Sequence, residues 1–219
     1  MKIAVVGTGY QGLVVGTCLA ETGHQVVGVE EDAARIAALQ AGEIPFHEPG
    51  LEELLNRNIE EERLSFSTDI VSAVRDCLSI LFCVNPPVDG DGQVDTGGLM
   101  ALAANVAGSM PGYRLFINKG ACPPGTAKAL EETFARHTRH PFDVIVNPDF
   151  LKAGKAIDDF MQPDRVIVGC EDVRVQELIR EIYSPFLRTG RPILFMSQAS
   201  AEMAKYATNV MLASRISMM

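Results

Sequence analysis

The stretch VVGTGYQG, residues 5–12, decides how this chain is read. Gly7, Gly9 and Gly12 make the pattern G-x-G-x-x-G, which alone is weak, because glycines also mark ordinary turns. Its surroundings give it meaning. KIAVVG (2–7) reads as a buried strand and YQGLVVGTCLAET as a helix. QVVGVE (25–30) reads as a second strand, ending in an acid, Glu30, about twenty residues past the loop. In such a strand–turn–helix, Gly7 takes the tight turn, Gly9 lets backbone approach a pyrophosphate, and Gly12 lets helix and strand pack closely. The free N–H groups at the helix start, around Tyr10 and Gln11, then face the phosphates. The pattern predicts a dinucleotide site.

Glu30 sets the choice of dinucleotide. A carboxylate accepts from both ribose hydroxyls, whereas a 2'-phosphate about 4 Å away would be repelled by about 4 kcal/mol in an effective dielectric near 20. NAD is therefore expected over NADP. The plainer reading is a solvated strand end, and Glu31 and Asp32 follow at once, so an acidic neighbour could partly stand in. Arg35, one turn into the next helix, could cover the adenine or ribose, or simply lie on the surface.

Outward from the loop, short β-branched runs alternate with helical patterns. RLSFS, SILFCVN (79–85), YRLFINK (113–119), FDVIVNP (142–148), RVIVGC (165–170) and PILFM read as strands. DAARIAALQAG closed by Gly42, EPGLEELLNRN, TDIVSAVRD capped by Thr68 or Asp69, GGLMALAANVAGSM, GTAKALEETFARH, VRVQELIREIYSPF and the segment from about Ser200 onward read as helices. Strands separated by single helices pair in parallel through right-handed crossovers. The expected fold is α/β: a Rossmann-type, doubly wound, mainly parallel sheet with helices on both faces.

Composition limits the alternatives. The chain has 219 residues, 47% hydrophobic and 21% charged, enough for a substantial core. No apolar run approaches the roughly 18 residues a membrane span needs, and Gly7 interrupts any signal-peptide core, so a cytoplasmic protein is expected. A net charge of -9 argues against nucleic acid and anionic membrane as partners. The five cysteines are scattered, with no C-x-x-C pair, and read as reduced structural thiols; no metal site is expected.

The string MKIAVVGTGYQGLVVGTCLAETGHQVVGVE resembles the start of the UDP-glucose 6-dehydrogenase family. GEIPFHEPGLEELL, NKGACPPGT, FDVIVNPDFLKAGKAIDDFMQPDRVIVG, YSPFL and SAEMAKYATNVMLASRIS agree with it in order and spacing. GDP-mannose and N-acetylmannosamine relatives share the plan. The resemblance implies oxidation of the C6 alcohol of a nucleotide sugar, UDP-glucose first among them, to a carboxylate with two NAD. A cysteine traps the aldehyde as a thiohemiacetal and then holds a thioester. The resemblance further implies that Gln11, Glu30, Arg35, Ala121 and Asp149 contact NAD, with Tyr10, Asn85 and Pro86 beside it. Asp149, Phe150, Leu151, Lys152 and Ala153 match the loop that touches the sugar. Lys205 and Asn209, four apart and so on one helical face, match the pair that stabilises the developing oxyanion, and Asp149 is counted with them as catalytic.

Several positions depart from the family. CVNPPVDGDG is one residue short and lacks the threonine that contacts NAD. Gly120 and Ala121 replace two hydroxyls, Asp149 shortens a glutamate, and Ala153 replaces an acid. The family's cysteine motif is absent from these 219 residues. The expected organisation is an NAD-binding domain over 1–198 and the start of a connecting helix over 199–219, without the UDP-binding domain, so these residues alone should be inactive. Homodimers are expected through that helix, whose Met203, Tyr206, Val210, Met211 and Leu212 would form an apolar patch. The competing reading is a diverged, non-catalytic NAD-binding or partner-binding homologue. Cys122 as a substitute nucleophile is disfavoured, since no activating neighbour is evident.

Overall fold

The computed structural model describes residues 1–187 and 192–219. The first unit is β1 (Lys2–Val6), α1 (Tyr10–Glu21) and β2 (Gln25–Val29). Then come α2 (Ala33–Gln40), α3 (Leu51–Glu60), β3 (Leu64–Ser67), α4 (Ile70–Asp76) and β4 (Ser79–Phe82). The second half runs through α5 (Gly97–Gly108), β5 (Arg114–Asn118), α6 (Thr126–His137), β6 (Phe142–Val146) and α7 (Ala156–Met161). It ends with β7 (Val166–Gly169), α8 (Val173–Tyr183), β8 (Ile193–Met196) and α9 (Gln198–Ser217).

Among the described residues the strands form one eight-stranded sheet in the order β3-β2-β1-β4-β5-β6-β7-β8. The doubly wound sheet is thus as expected, and the order reverses between β1 and β4, which pair in parallel from Ile3↔Ser79 to Val6↔Phe82. Chains leaving these two strands diverge to opposite faces. A crevice opens at their carboxyl ends, where open α/β sheets take their ligands.

Both faces of the central strands β1, β4 and β5 are buried, so these read as largely continuous apolar runs rather than alternating ones. Ile3, Val5, Leu81, Leu115 and Ile117 pack with Leu13, Cys18 and Leu19 of α1, Leu51 and Leu55 of α3, and Ile179 of α8. Ala4, Val6, Ile80, Phe82 and Phe116 point the other way, onto Val74 of α4, Val106 of α5 and Phe134 of α6. A one-residue slip in any central strand would exchange these two sets. All five cysteines are free and buried.

One alternative left by the sequence resolves, and two local differences from the sequence reading have physical causes. Between Thr68 and Asp69 the cap is Asp69, whose carboxylate accepts from the Ser72 amide at 3.0 Å. The helix α7 was not anticipated, because six residues in KAIDDFM are too short to show a period. β7 meets β6 antiparallel at Val146↔Gly169, since the α7 connection does not make a full crossover, while β8 returns parallel to β7. The terminal helix α9 lies directly on this edge: a Cβ on Gly169 would sit 2.7 Å from Gln198 Cα and 2.9 Å from Ala201 Cβ.

Candidate cofactor and substrate site

The glycine loop has the geometry its sequence requires. Gly7 has φ +94°, in the left-handed region, and a Cβ there would lie 2.8 Å from the Cys83 carbonyl oxygen. A Cβ on Gly12 would lie 1.8 Å from the Gly7 oxygen. Gly9 differs from both. Nothing stands within 4 Å of a Cβ built there, so its missing side chain leaves space free above the loop. Gly9 is also the N-cap of α1 and offers no side-chain cap to the first amides, which stay available to an anion.

Glu30 follows β2 and turns back to this loop. Its Oε2 accepts from the Thr8 amide and the Thr8 hydroxyl, each at 3.2 Å, and Arg35 Nη1 lies 3.6 Å away. Arg35 therefore pairs with Glu30 at the edge of the site. Asp32 caps α2 through the amides of Ala34 and Arg35, so of the three consecutive acids it is already engaged as a cap.

One cleft of about 480 Å³ at the switch point is lined by Gly9, Tyr10, Gln11, Asn85, Pro86, Ala121, Asp149, Leu151, Lys205 and Asn209. Val88, Val94, Cys83 and Tyr206 complete its wall, and no local pattern in the chain places the first two there. Tyr206 is half-buried in this wall rather than part of an outer patch. Lys205 Nζ donates to the Asp149 backbone oxygen at 2.8 Å, lies 3.5 Å from its carboxylate, and sits over the Phe150 ring at 5.5 Å. Seven expected positions lie outside the cleft lining: Gly7, Gly12, Glu30 and Arg35 in and behind the glycine loop, and three residues of the loop after β6. Phe150 stacks under Arg165 and Lys205, Lys152 is exposed and paired with Asp159 at 3.0 Å, and Ala153 is exposed.

The floor is a polar knot the sequence did not disclose. Gln11 Nε2 donates to the Lys119 carbonyl at 2.8 Å, while Gln11 Oε1 is buried without a protein partner. Lys119 is 2% exposed, and its Nζ donates to Asn147 Oδ1 at 2.9 Å and Tyr183 Oη at 3.1 Å. Burial alone would lower its pKa, but the Tyr183 phenol, the Cys83 thiol and the Asp149 carboxylate hold it above the usual lysine value. The two departures flanking this knot fit each other. A Cβ on Gly120 would fall 2.2 Å from the Val84 carbonyl oxygen, and the Ala121 amide donates to Asn85 Oδ1 at 3.2 Å. The short loop after β4 thus occupies the volume that a serine at 120 would need.

No described cysteine has the surroundings of a nucleophile. Cys122 is 3% exposed in the core beside Leu130 and Phe134, and burial pushes its thiol pKa up. Cys83 borders the cleft, but burial pushes its thiol up to about 12. Among the described residues no group of His, Cys, Asp or Glu could hold a metal, and no helix is long and apolar enough to cross a membrane.

A mainly parallel sheet with a glycine loop at its switch point, an acid at the next strand end and free amides on α1 defines a Rossmann-type dinucleotide-binding protein. The fit is specific: the cradle at Gly9 is open, and the buried Gln11 Oε1 still wants a donor. Residues 1–187 match the family described as the UDP-glucose/GDP-mannose dehydrogenase family, NAD binding domain, and the chain belongs to that family. It is 39% identical over its whole length to a UDP-glucose 6-dehydrogenase of Pseudomonas aeruginosa, covering 49% of that protein. A UDP-glucose dehydrogenase structure from Pyrobaculum islandicum superposes with TM-score 0.91 at 34% identity, over 97% of this chain and 50% of that one. A ternary complex of a GDP-mannose dehydrogenase from Pseudomonas aeruginosa gives TM-score 0.90 at 30% identity, over 99% of this chain and 51% of that one. The chain spans about half the length of the curated relatives it matches.

Proposed function

We infer that this chain is the NAD-binding portion of a nucleotide-sugar 6-dehydrogenase that oxidises UDP-glucose to UDP-glucuronate with two NAD. Residues 1–198 form the cofactor unit in this reading, and 199–219 begin a connecting helix. NAD supplies the hydride acceptor. The amides after Gly9 hold its pyrophosphate, with Gly7 and Gly12 shaping the loop and Glu30, backed by Arg35, taking the ribose hydroxyls. Tyr10, Gln11, Asn85, Pro86 and Ala121 line the reacting end. Asp149, Phe150, Leu151, Lys152 and Ala153 carry the sugar loop, and Lys205 with Asn209 places positive charge and an amide donor where an alkoxide would develop.

The observation that carries this reading is the convergence of Lys205 and Asp149 on the cleft that also holds Gly9 and Gln11. A cofactor-only module would have no need of a lysine held at that point. The diverged, non-catalytic alternative draws support from Ala121 and Ala153, which lack the polar reach seen in the family. The charge of -9 and the lack of a membrane-spanning helix among the described residues support a cytoplasmic enzyme that binds neither nucleic acid nor membrane. Exposed Met203, Val210, Met211, Leu212 and Ile216 on α9 support a homodimer through that helix. Calorimetric titration of UDP-glucose and of GDP-mannose into the NADH-saturated protein separates the readings. Tighter binding of UDP-glucose is expected; no binding of either sugar, even by a chain extended through the expected UDP-binding domain, would favour the non-catalytic module.

A further inference from the structure

The segment FHEPGLEELL, residues 46–55, has no place in the cofactor or sugar chemistry described above, yet it carries one of the few buried carboxylates in the molecule. Glu48 is 3% exposed. Its Oε2 accepts from the Tyr10 hydroxyl at 2.6 Å and from the Gly154 amide at 2.7 Å, and its Oε1 accepts from the Ala156 amide at 2.8 Å. The Tyr10 ring is held in turn by Phe46, with centroids 4.9 Å apart. Tyr10 is the first residue of α1, Gly154 lies near the end of the loop that begins at Asp149, and Ala156 is the first residue of α7. One carboxylate thus joins the two loops that face the cleft, with bonds of the short, charge-assisted kind.

We propose that Glu48 is a positioning residue that couples the glycine loop to the loop following β6, so that cofactor binding orders the sugar-binding loop. An anion docked on the first amides of α1 fixes the turn that bears Tyr10. The phenol passes this restraint to Glu48, and Glu48 passes it to the amides of Gly154 and Ala156. Coupling of this kind is reciprocal: an ordered 149–156 loop tightens the cofactor by the same factor by which the cofactor orders the loop. The inference rests on reading residues 149–153 as the sugar loop, but the coupling itself is measurable without any sugar.

The test is hydrogen exchange at the amides of Gly154 and Ala156, with and without saturating NADH, in the wild type and in Glu48→Gln. In the wild type NADH should slow exchange at both amides by about fivefold or more, the lower end of ordinary coupling. In Glu48→Gln, whose amide nitrogen faces a donor, NADH should still bind, weakened by no more than the coupling factor, and the NADH-dependent slowing should vanish. A purely structural Glu48 would instead raise exchange equally with and without NADH. If Glu48→Gln does not fold, Glu48→Asp decides, because the shortened carboxylate keeps its charge but cannot reach Tyr10 and both amides together. Undiminished NADH-dependent slowing in either folded variant, or none in the wild type, overturns the proposal. Failure of the wild type to bind NADH at all, read by its fluorescence, would overturn the cofactor assignment as well.

Discussion

Lys205 Nζ donates to the backbone oxygen of Asp149 across a separation of 56 residues, at 2.8 Å, with the carboxylate of the same residue at 3.5 Å. This contact brings the start of α9 onto the loop after β6 and points a cation at the cleft. Hydrogen bonds to a charged group are worth about 1.5–3 kcal/mol. Lys205→Ala is therefore expected to weaken UDP-glucose binding to the NADH complex by about tenfold or more, measured by calorimetry. Unchanged affinity would remove Lys205 from the substrate site.

The three glycines of the loop should respond differently to a single methyl group. At Gly9 there is room, so Gly9→Ala should keep the wild-type melting temperature and weaken NADH binding by filling the phosphate cradle. At Gly12 the methyl would meet the Gly7 oxygen at 1.8 Å. Gly12→Ala should lose about 1–3 kcal/mol of stability, as overpacking does. Thermal melts alongside NADH titrations check both; equal melting temperatures would show that α1 can move away from the loop.

Much of this was legible in the chain itself. Alternation of β-branched runs and helical periods points to the sheet, and the spacing from Gly7 to Glu30 points to the strand–turn–helix that the structure shows at β1, α1 and β2. The meeting of Asp149 with Lys205 came only through family resemblance, because no local period connects a loop after β6 to a helix after β8. Lys119 and Glu48 could not be read at all. Lysine and glutamate are usually solvated, and nothing in NKGAC or FHEPG announces burial; their partners come from elements far away in sequence.

Restoring a family residue at position 120 should do harm. Gly120→Ser would drive its Cβ toward the Val84 carbonyl, where only 2.2 Å is available. Denaturant unfolding should show a loss of about 1–3 kcal/mol. A stability equal to the wild type would mean that the loop after β4 yields easily, and that the glycine is not tied to that loop's short length.

Glu48 also sets a pH dependence. Burial raises its pKa, but the Tyr10 hydroxyl and the amides of Gly154 and Ala156 outweigh burial and bring it below the ordinary value of 4.5. A carboxyl depressed on folding contributes stability that is fully present above its unfolded pKa and is lost as pH falls through its folded pKa. The stability gap between wild type and Glu48→Gln should accordingly stay constant from neutral pH down to about 5.5 and shrink below about 4.5. Melting curves across that range check it; a gap that widens on acidification would reverse the sign.

Whether the glycine loop and Glu30 form the NAD site is tested most directly by a fluorescence titration with NADH and NADPH side by side. Glu30 Oε2 already faces the loop through Thr8 at 3.2 Å, so a 2'-phosphate brought to that strand end would meet a carboxylate. The predicted result is saturable NADH binding, with NADPH weaker by at least about tenfold, consistent with like-charge repulsion of a few kcal/mol partly screened by solvent. Glu30→Ala should narrow that difference. Equal affinity for the two cofactors in the wild type, or an unchanged preference in Glu30→Ala, would contradict it.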